Sequence, residues 1–366
     1  MSELAIVGLG AAGASLAWRL SGSGVAFTVF EAPAGAAVRT QERTWCTWGP
    51  GGPGPFAHLV VHQWPRVRVT APDGSAVRAD LGNWRYRMLS STTLDAAVRT
   101  RLHTAGVEVR EEVVTDARGL ARTVVDTRPA RLPRTGRTVL FQHFLGHRIR
   151  TQRPSFDSTT VELMDFRVPQ PGGGVAFGYV LPTSEHEALV EYTEFSARLL
   201  SAEGYRSALG EYLQRRGIGA HEVLSSEHGV IPMTDARFPP STIPGVVRWG
   251  AASGSVRPST GYAFSVLQRQ ADVLAGQVVS GEPVVVPRAH TRRHLLMDSI
   301  VLQALASGRI EGAQFFVDLF RRNPVQRVLG FLDGATGPAD DVRLMATSPR
   351  GPMVSTLLGR LGQVRR

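Results

Sequence analysis

The first residues that point to chemistry are three glycines near the start of the chain. Gly8, Gly10 and Gly13 follow the apolar run 4–7 and precede residues with helical spacing, so a strand leads into this loop and a helix leaves it. The first glycine allows a tight turn, the second lets the backbone approach a pyrophosphate, and the third lets helix and strand pack closely. The N–H groups that open the helix attract the same anion. The predicted phosphate contacts are therefore Gly8, Gly10, Ala11, Ala12 and Gly13.

An acidic residue completes this dinucleotide-binding pattern. Glu31 follows the second predicted strand, 26–30, where a carboxylate can accept hydrogen bonds from the hydroxyls of a ribose. A carboxylate at this position disfavours the 2′-phosphate of NADP, so the pattern favours FAD or NAD. The alternative is a glycine-rich turn in another kind of α/β protein.

A later segment favours FAD over NAD. Residues 246–252 read as a strand that runs into a loop, and a helix is predicted over 261–277. In many flavoproteins a late strand and a glycine-rich loop return to cover the flavin, and N–H groups at the start of the next helix face its polar edge. The predicted contacts in this segment are Gly250, Pro258, Thr260 and Gly261.

Three charged residues in the middle of the chain are candidates for catalysis or for the support of a site. Glu191 lies in a predicted hairpin, 177–195, whose alternation places Glu191 and Glu194 on opposite faces. Pattern alone favours an exposed carboxylate at Glu191, because glutamate is usually exposed. Asp165 and Arg167 are open to two interpretations, a structural ion pair or groups that orient an acid or a cofactor.

Aromatic side chains near these segments could stabilise a cation or line a tunnel for an apolar substrate, because ring faces attract cations. Core packing is the commoner fate of any one of them. The single cysteine, Cys46, is predicted to be a small apolar filler. His143 and His147 are four apart in a predicted strand, so no metal site is assigned. The aromatic candidates are Trp45, Trp48, Tyr179 and Tyr262.

The elements that must position these residues predict an α/β fold in two interleaved parts. The order of strands and helices indicates a Rossmann-like FAD-binding domain made of separated segments, an antiparallel-sheet substrate domain, and C-terminal helices. A long loop is predicted over 32–58, a hairpin over 67–81, a helix over 88–105 and turns at Gly146, 171–174 and 182–187. The predicted segments are 1–58, 84–140 and 226–285 for FAD binding, 59–83 and 141–225 for the substrate, and 286–366 for the C-terminal helices.

Composition and charge limit the class of protein. The 366 residues include 43% hydrophobic and 20% charged residues, which is typical of a globular protein. All 41 cationic side chains are arginine, which excludes a lysine Schiff base. The net charge of +10 favours an anionic surface, but no arginine stripe interleaved with aromatics is present, so nucleic acid is not the expected partner.

The expected location is the cytoplasm, with peripheral contact to a membrane. The N-terminal residues do not have the pattern of a signal peptide, and no apolar run is long enough to span a bilayer. The stretch 313–332 combines phenylalanines with arginines and could lie on an anionic membrane. An ordinary pair of core-facing helices explains the same pattern equally well.

Taken together, eight stretches resemble the flavin-dependent lycopene cyclases of bacteria, of the lycopene β-cyclase type. They occur in the order found in that family and extend over most of the chain. Two segments differ from the expected pattern, at three positions. Arg43 and Cys46 stand where the family has His and Ser, and Ala251 stands where wider flavoprotein relatives have Asp. The matching stretches are 8–13 with Glu31, 43–48, 141–146, 164–167, 177–182, 189–195, 229–232 and 258–262.

The resemblance implies a non-redox isomerisation, carried out by an intramolecular lyase. The linear ends of lycopene would close into β-rings, giving β-carotene by way of γ-carotene. A proton is added to a terminal alkene, a neighbouring double bond attacks the cation, and a second proton is lost. The resemblance implies Glu191 as the acid, Asp165 and Arg167 as supporting groups, reduced FAD as the stabiliser of the cation, and NADPH or NADH as the reductant.

Two other functions remain open from the sequence. The first is a flavin monooxygenase or a prenyl-chain reductase acting on a lipophilic substrate. Monooxygenases usually carry an Asp-Gly pair in the middle of the chain, whereas Asp126 is followed by Thr127 here. The second is a membrane-bound carrier of flavin or polyene, which would not need Glu191. The sequence leaves open whether one or both ends of the substrate are closed, which ring isomer forms, and the oligomeric state.

Overall fold

A β-α-β unit near the N-terminus forms the centre of a parallel sheet. A computed structural model describes residues 3–36, 42–129 and 138–364. The unit consists of β1 (Leu4–Val7), α1 (Ala11–Leu20) and β2 (Phe27–Glu31), close to the predicted bounds. The five strands are parallel in the order β15-β9-β1-β2-β8. The other three are β8 (Glu108–Glu111), β9 (Thr123–Asp126) and β15 (Val246–Arg248).

The late part of the chain returns to this first unit. Helix α4 (Phe264–Val279) follows β15 and packs along α1. Gln268 Nε2 donates to Ser15 Oγ at 2.9 Å, and Arg19 forms an ion pair with Asp272 at 2.6 Å. The predicted helix over 261–277 is thus present, although it begins at Phe264.

A second, seven-stranded sheet carries the middle of the chain. Its order is β14-β10-β13-β12-β11-β5-β6, and every neighbouring pair is antiparallel except β11 and β5. The predicted hairpins over 67–81 and 177–195 are both confirmed. The strands are β5 (Arg66–Thr70), β6 (Ala76–Asp80), β10 (Val139–Thr151), β11 (Thr160–Asp165), β12 (Val175–Pro182), β13 (Glu187–Ser196) and β14 (His221–Thr234).

The predicted turn at Gly146 is wrong, because β10 continues straight through it. Gly146 pairs with Glu191 on one neighbouring strand and with Glu227 on the other. A Cβ at this position would lie 2.8 Å from Cγ of Glu191 and 3.3 Å from Cγ of Glu227. Leu189 lies at 3.2 Å from the same point, so the glycine makes room for three side chains rather than for a bend in the backbone.

The predicted loop over 32–58 is also wrong in part, since it contains a strand and a turn of 3-10 helix. Strand β3 (Thr44–Gly49) pairs with β7 (Arg85–Ser90), which in turn pairs with β4 (His62–Trp64). The 3-10 turn covers Gly54–Leu59. Because 85–90 is a strand, the helix predicted over 88–105 begins later, as α2 (Ser91–Thr104). This three-stranded sheet covers one face of the seven-stranded sheet.

Helices cover both faces of the seven-stranded sheet. Helix α3 (Ala202–Arg215) packs on the face opposite the three-stranded sheet, in a cluster that includes Val190 and Tyr192. The breaks predicted at Gly308, Pro324 and 334–338 separate the C-terminal helices. These are α5 (Arg292–Ala306), α6 (Gly312–Arg322), α7 (Val325–Leu332), α8 (Pro338–Ala346) and α9 (Arg350–Val364).

The apolar residues of 313–332 are buried in the protein core. Phe315, Phe316, Phe320 and Phe331 all belong to the cluster beneath the seven-stranded sheet, so the core-facing interpretation is correct and these side chains do not face a membrane. Within the described parts of the chain, no helix combines the length and apolar character needed to cross a bilayer. The predicted α/β class, with a Rossmann-like sheet, antiparallel sheets and C-terminal helices, is confirmed.

Candidate active site

The glycine loop has the geometry that a bound dinucleotide phosphate requires. Gly8 has φ +92°, and a Cβ there would meet Thr127 Oγ1 at 2.7 Å. A Cβ at Gly13 would lie 1.9 Å from the Gly8 carbonyl oxygen, so only glycine allows α1 to pack this closely. Nothing lies within 4 Å of a Cβ at Gly10. No side chain of the described residues caps the start of α1, where the first N–H groups have no partner within the helix.

Glu31 and Gly250, two of the predicted cofactor contacts, both lie against this loop. Glu31 accepts a hydrogen bond from the Leu9 N–H, which places its carboxylate beside the loop. Gly250 has φ +80°, and a Cβ there would meet the Ala12 Cβ at 3.2 Å. Strand β15 pairs with β9 in the same sheet, so the late segment arrives at the carboxyl end of the first strands.

Two buried oxygens lie close to Gly261, one from the loop after β15 and one from strand β10. Thr260 and Gln142 each have a buried side-chain oxygen that has no hydrogen-bond partner among the described residues. Gly261 has φ +72°, and a Cβ there would meet Gln142 Oε1 at 2.0 Å. Pro258 and Thr260 are buried in the same loop. A cofactor with polar ring atoms fits this arrangement, because it would supply partners that the protein lacks.

A buried ion pair anchors this loop to the C-terminal helices. Arg257 is 1% exposed and pairs with Asp298 of α5 at 3.1 Å. Its guanidinium also donates to the Phe331 carbonyl and lies over the Phe331 ring, 4.4 Å from the centroid. Ser259 donates to the same Asp298 carboxylate at 2.7 Å. The loop that carries Pro258, Thr260 and Gly261 is therefore anchored to helices α5 and α7.

Glu191 lies in a row of four residues across four strands of the seven-stranded sheet. Tyr179 pairs with Glu191, Glu191 pairs with Gly146, and Gly146 pairs with Glu227. Residues in register on antiparallel strands point to the same face. Both carboxyls are buried, with 7% exposure for Glu191 and 5% for Glu227. The predicted alternation in β13 is correct, because Leu189 and Phe195 share the face of Glu191, whereas Tyr192 faces α3.

Aromatic rings cover this row from the side of the three-stranded sheet. Trp48 stacks on Tyr86 at 5.4 Å between centroids and meets Tyr262 edge-on at 4.6 Å. The Tyr86 hydroxyl lies 2.7 Å from that of Tyr179 and 3.4 Å from that of Tyr262. Trp45 is not part of this group. It points to the other face of β3, where it stacks on Phe264 at 5.8 Å.

Cys46 lies between the tyrosines and the carboxyls. The Tyr179 hydroxyl donates to Cys46 Sγ at 3.1 Å. Burial raises the pKa of the Cys46 thiol to about 12, and the nearby Glu191 and Glu227 add to this rise. The thiol is therefore protonated at neutral pH, which agrees with a filler and disfavours a nucleophile.

Glu191 keeps its proton to a higher pH than an ordinary glutamate. Burial raises the pKa of its carboxyl well above 4.5, and the charge of Glu227 and a hydrogen bond with it raise that pKa further. Thr193 partly opposes this effect. A carboxyl that keeps its proton near neutral pH can donate it to a substrate.

Asp165 and Arg167 lie on the opposite face of the sheet from Glu191. Asp165 pairs in register with Gly178, which precedes Tyr179 and so faces α3. Arg167 forms an ion pair with Asp165 at 2.6 Å, and the Tyr212 hydroxyl of α3 donates to the same carboxylate at 3.1 Å. Burial alone would raise the pKa of Asp165, but the hydrogen bonds and the charge of Arg167 outweigh it, so the pKa is lowered. The structure does not bring these two residues together with Glu191.

Sequence reasoning missed three residues of this site. Glu227 lies two residues before a stretch that carries the family resemblance, and period-two alternation over 221–234 would have placed it on the face of the site. Thr44 donates to Glu227 at 2.9 Å from a segment predicted as loop. Tyr86 lies in a segment whose strand, β7, was not predicted, so no local signal separates it from a core tyrosine.

Comparisons with known proteins agree on the fold and on a family. A family model described as lycopene cyclase protein matches residues 3–358. The comparison with curated protein sequences found no match.

Three solved structures have the same fold. A geranylgeranyl bacteriochlorophyll reductase-like protein from Thermoplasma acidophilum is 14% identical, with a TM-score of 0.66 over 97% of this chain and 98% of that one. The flavin-dependent brominase Bmp2 is 15% identical, with a TM-score of 0.59 over 94% and 98%. A flavoprotein/dehydrogenase from Cytophaga hutchinsonii is 13% identical, with a TM-score of 0.59 over 98% and 99%. At these identities the likeness establishes the fold.

Proposed function

The chain belongs to the lycopene cyclase protein family, and from this premise we propose that it is a lycopene β-cyclase that uses Glu191 as its general acid. The observation that carries the proposal is the position of Glu191. It is buried in a row with Tyr179, beneath the rings of Trp48, Tyr86 and Tyr262. An acid among aromatic faces suits a reaction that makes a carbocation in an apolar site.

The proposed reaction needs one proton to enter and one to leave at each end of lycopene. Glu191 donates its proton to the terminal alkene, and the neighbouring double bond attacks the resulting cation to close the ring. The rings of Trp48, Tyr86 and Tyr179 stabilise the positive charge and exclude water. Loss of a ring proton gives the β-ring, so the product has the mass of the substrate.

FAD is the proposed cofactor, with NADPH or NADH as its reductant. Gly8, Gly10, Ala11, Ala12, Gly13 and Glu31 would hold its adenosine and pyrophosphate. Gly250, Pro258, Thr260 and Gly261 would close over its ring system. When bound and reduced, the flavin supplies electron density that stabilises a nearby cation. The first group lies at the glycine loop, and the second group lies in the loop after β15.

We propose that Asp165 and Arg167 act as positioning residues from behind the sheet. Their ion pair and the Tyr212 hydroxyl fix the end of β11 against α3, and β11 pairs with β12, which carries Tyr179 on its other face. This assigns them support of the site rather than contact with the substrate.

The test is pigment analysis of lycopene-accumulating cells that express the chain. Wild type should give ring-closed carotene of unchanged mass, and Glu191→Gln should lower its formation roughly 10²–10⁴-fold while flavin binding is retained. Glu194→Gln is the matched control, because Glu194 is buried in the same strand on the opposite face. Lycopene left unchanged by soluble, flavin-loaded wild type would refute the cyclase proposal.

The same assay separates the cyclase from its redox alternative. A flavin monooxygenase or a prenyl-chain reductase would add oxygen or hydrogens to a lipophilic substrate, and the product mass would rise. Wild-type product of raised mass would therefore replace the cyclase proposal with the redox function.

We propose that the protein reaches its hydrocarbon substrate by peripheral contact with a membrane. Exposed apolar side chains occur on the last two helices, at Val342 and Met345 of α8 and at Val354 and Leu358 of α9. The net charge of +10 would add attraction to anionic lipid. Cosedimentation with anionic vesicles at low salt, weakened by high salt, is the expected result. Protein that stays in the supernatant at both salt concentrations would contradict this contact.

A further inference from the structure

Glu227 is a buried carboxyl that the proposed reaction leaves without a role. It is brought to Glu191 by the register of β14, β10 and β13, with Gly146 between them. Both Cγ atoms approach the place where a Gly146 Cβ would lie, at 2.8 Å for Glu191 and 3.3 Å for Glu227. The two glutamates lie on β13 and β14, with β10 between these strands. Their carboxyls can meet only because the intervening residue, Gly146, has no side chain.

The surroundings of the two carboxyls differ. Glu227 accepts a hydrogen bond from Thr44 Oγ1 at 2.9 Å, and the positive charge of Arg43 is close enough to interact with it. Both contacts stabilise an ionised carboxylate. Glu191 has Tyr179 on its other side and the aromatic group above it. Among the ion pairs between described residues, none involves Glu191 or Glu227.

Two adjacent buried carboxyls do not ionise together readily, because the second negative charge is repelled by the first. The surroundings decide which of the two keeps the proton. We propose that Glu191 and Glu227 form a carboxyl pair that holds one proton on Glu191, with Glu227 as the ionised residue that positions and retains it. This inference rests on the proposed function of Glu191 as the acid.

The pair returns to its starting state in each ring closure. When the proton of Glu191 forms a C–H bond with the alkene, both carboxylates are negative and face a cation. Their repulsion favours recovery of a proton, and the ring carbon next to the cation loses one as the new double bond forms. That proton restores the O–H bond of the pair, so no proton and no electron is gained or lost overall.

Other charged and titratable groups face the pair from several elements, and a pH profile must be interpreted with them in view. Burial holds the pKa values of Tyr86, Tyr179 and Tyr262 above their ordinary value, so these hydroxyls stay neutral in the range of interest. Glu42 and Arg148 line the small cavity of about 160 Å³ beside Glu227. The groups that face the pair are Arg43, Cys46, Tyr86, Tyr179, Tyr262, Glu42 and Arg148.

The first test is the pH dependence of cyclisation by purified, flavin-loaded protein, with lycopene in vesicles and the flavin kept chemically reduced at every pH. Activity requires protonated Glu191, so it falls as the pH rises through the pKa of that residue. Glu227→Gln removes the charge that helps to raise this pKa, and the fall should move to lower pH by about one unit. Glu227→Asp, which keeps a carboxylate, should move it less.

Glu194→Gln should leave the pH profile in place, because Glu194 faces α3. An alkaline fall that stays at its wild-type pH in Glu227→Gln, with only the amplitude reduced, would overturn the proposal. It would show that Glu227 is merely structural.

A second readout does not depend on the reaction or on the folding of a Glu227 variant. In the infrared spectrum of wild-type protein near neutral pH, a protonated carboxyl band should be present and should be absent from Glu191→Gln. If wild type shows this band but does not cyclise lycopene, the carboxyl pair stands and the proposed function is rejected. Absence of the band in a wild type that does cyclise lycopene would reject the pair alone.

Discussion

On the face of the seven-stranded sheet that α3 covers, the buried carboxylates of Glu162 and Asp165 are paired with arginines, whereas on the face beneath the three-stranded sheet two buried carboxyls are paired with each other. Arg68 Nε lies 2.6 Å from Glu162, and Arg167 lies 2.6 Å from Asp165. Behind the rings of the other face, Glu191 and Glu227 meet across Gly146. The pKa of Asp165 is lowered by its partners, and that of Glu191 is raised by burial and by Glu227.

Burial by itself raises the pKa of both Asp165 and Glu191, so the difference shows that the partner decides whether this rise is reversed or reinforced. A carboxylate with a cation is held charged and ties strands and helices together. A carboxyl with a second carboxyl is held protonated and is available for chemistry. One sheet therefore separates a stabilising network from a reactive site by the alternation of its side chains.

The largest expected effect is on stability, from Asp165→Asn. This change removes the carboxylate partner of Arg167, whose side chain is 32% exposed, and one of the two carboxylates near Arg216, whose side chain is 11% exposed. We expect the free energy of unfolding to fall by about 3 kcal/mol. Urea unfolding followed by circular dichroism measures it. Glu191→Gln in the same experiment should keep wild-type stability at neutral pH or exceed it, and an equal loss in both variants would break the comparison.

Two strand glycines offer the second contrast. Gly178→Ala would place a Cβ 1.9 Å from Cζ of Tyr212, so we expect a loss of about 1–3 kcal/mol in stability, with a smaller loss of rate per folded molecule than in Gly146→Ala. Gly146→Ala would displace Glu191 and Glu227 instead, so cyclisation should fall by more than the folded fraction does. Unfolding curves and pigment yield, normalised to bound flavin, measure both variants. Activity retained in Gly146→Ala would show that the carboxyls need not meet.

The third prediction is an opposite dependence of stability on pH for the two faces. The folded pKa of Glu191 lies above its ordinary value of 4.5, so wild-type stability falls as the pH rises from that value, by up to about 1.4 kcal/mol per unit. Glu191→Gln should remove this loss. The folded pKa of Asp165 lies below its ordinary value of 3.8, so its contribution is present above that value and is lost as the pH falls through the folded pKa.

Urea midpoints measured between about pH 3 and pH 8 test both directions. The curve for Glu191→Gln should diverge from wild type toward high pH, whereas the curve for Asp165→Asn should approach wild type toward low pH. Curves that stay parallel to wild type at all pH values would mean that neither carboxyl has a shifted pKa.

Local patterns were sufficient to predict the first β-α-β unit of the parallel sheet. The run from Leu4 to Glu31 combines a buried strand, three spaced glycines, a helix and an acidic strand end, and each of these signals lies within a few residues of the next. The alternation in β13 also placed Glu191 and Glu194 on opposite faces correctly. Such features depend on residues that are close together in sequence, so the sequence alone reveals them.

The rest of the site depends on pairs that are distant in sequence. Strand β3 exists because it pairs with β7, and Gly146 is a glycine because Glu191 and Glu227 converge on it from two other strands. Read locally, the same glycine indicates a turn, and the segment around Thr44 indicates a loop. The carboxyl pair could be recognised only after the register of three strands was known.

The smallest expected effect comes from the removal of single hydroxyl groups from two tyrosines. Tyr179 and Tyr192 lie on neighbouring strands but face opposite sides of the sheet. Tyr179→Phe keeps the ring over the site and removes a hydroxyl that lies 2.7 Å from that of Tyr86 and donates to Cys46 at 3.1 Å. One hydrogen bond contributes about 1 kcal/mol, so the rate should fall less than about tenfold. Tyr192→Phe removes a hydroxyl that donates to Glu194 at 3.1 Å, and it should lower the free energy of unfolding by a similar amount without changing the rate.

Tyr179→Leu, which removes the ring, should raise the activation free energy by about 2 kcal/mol if the ring face stabilises the cation. Equal rates for Tyr179→Phe and Tyr179→Leu would mean that the ring acts only as packing, and the aromatic face would then resemble the α3 face in function as well as in burial.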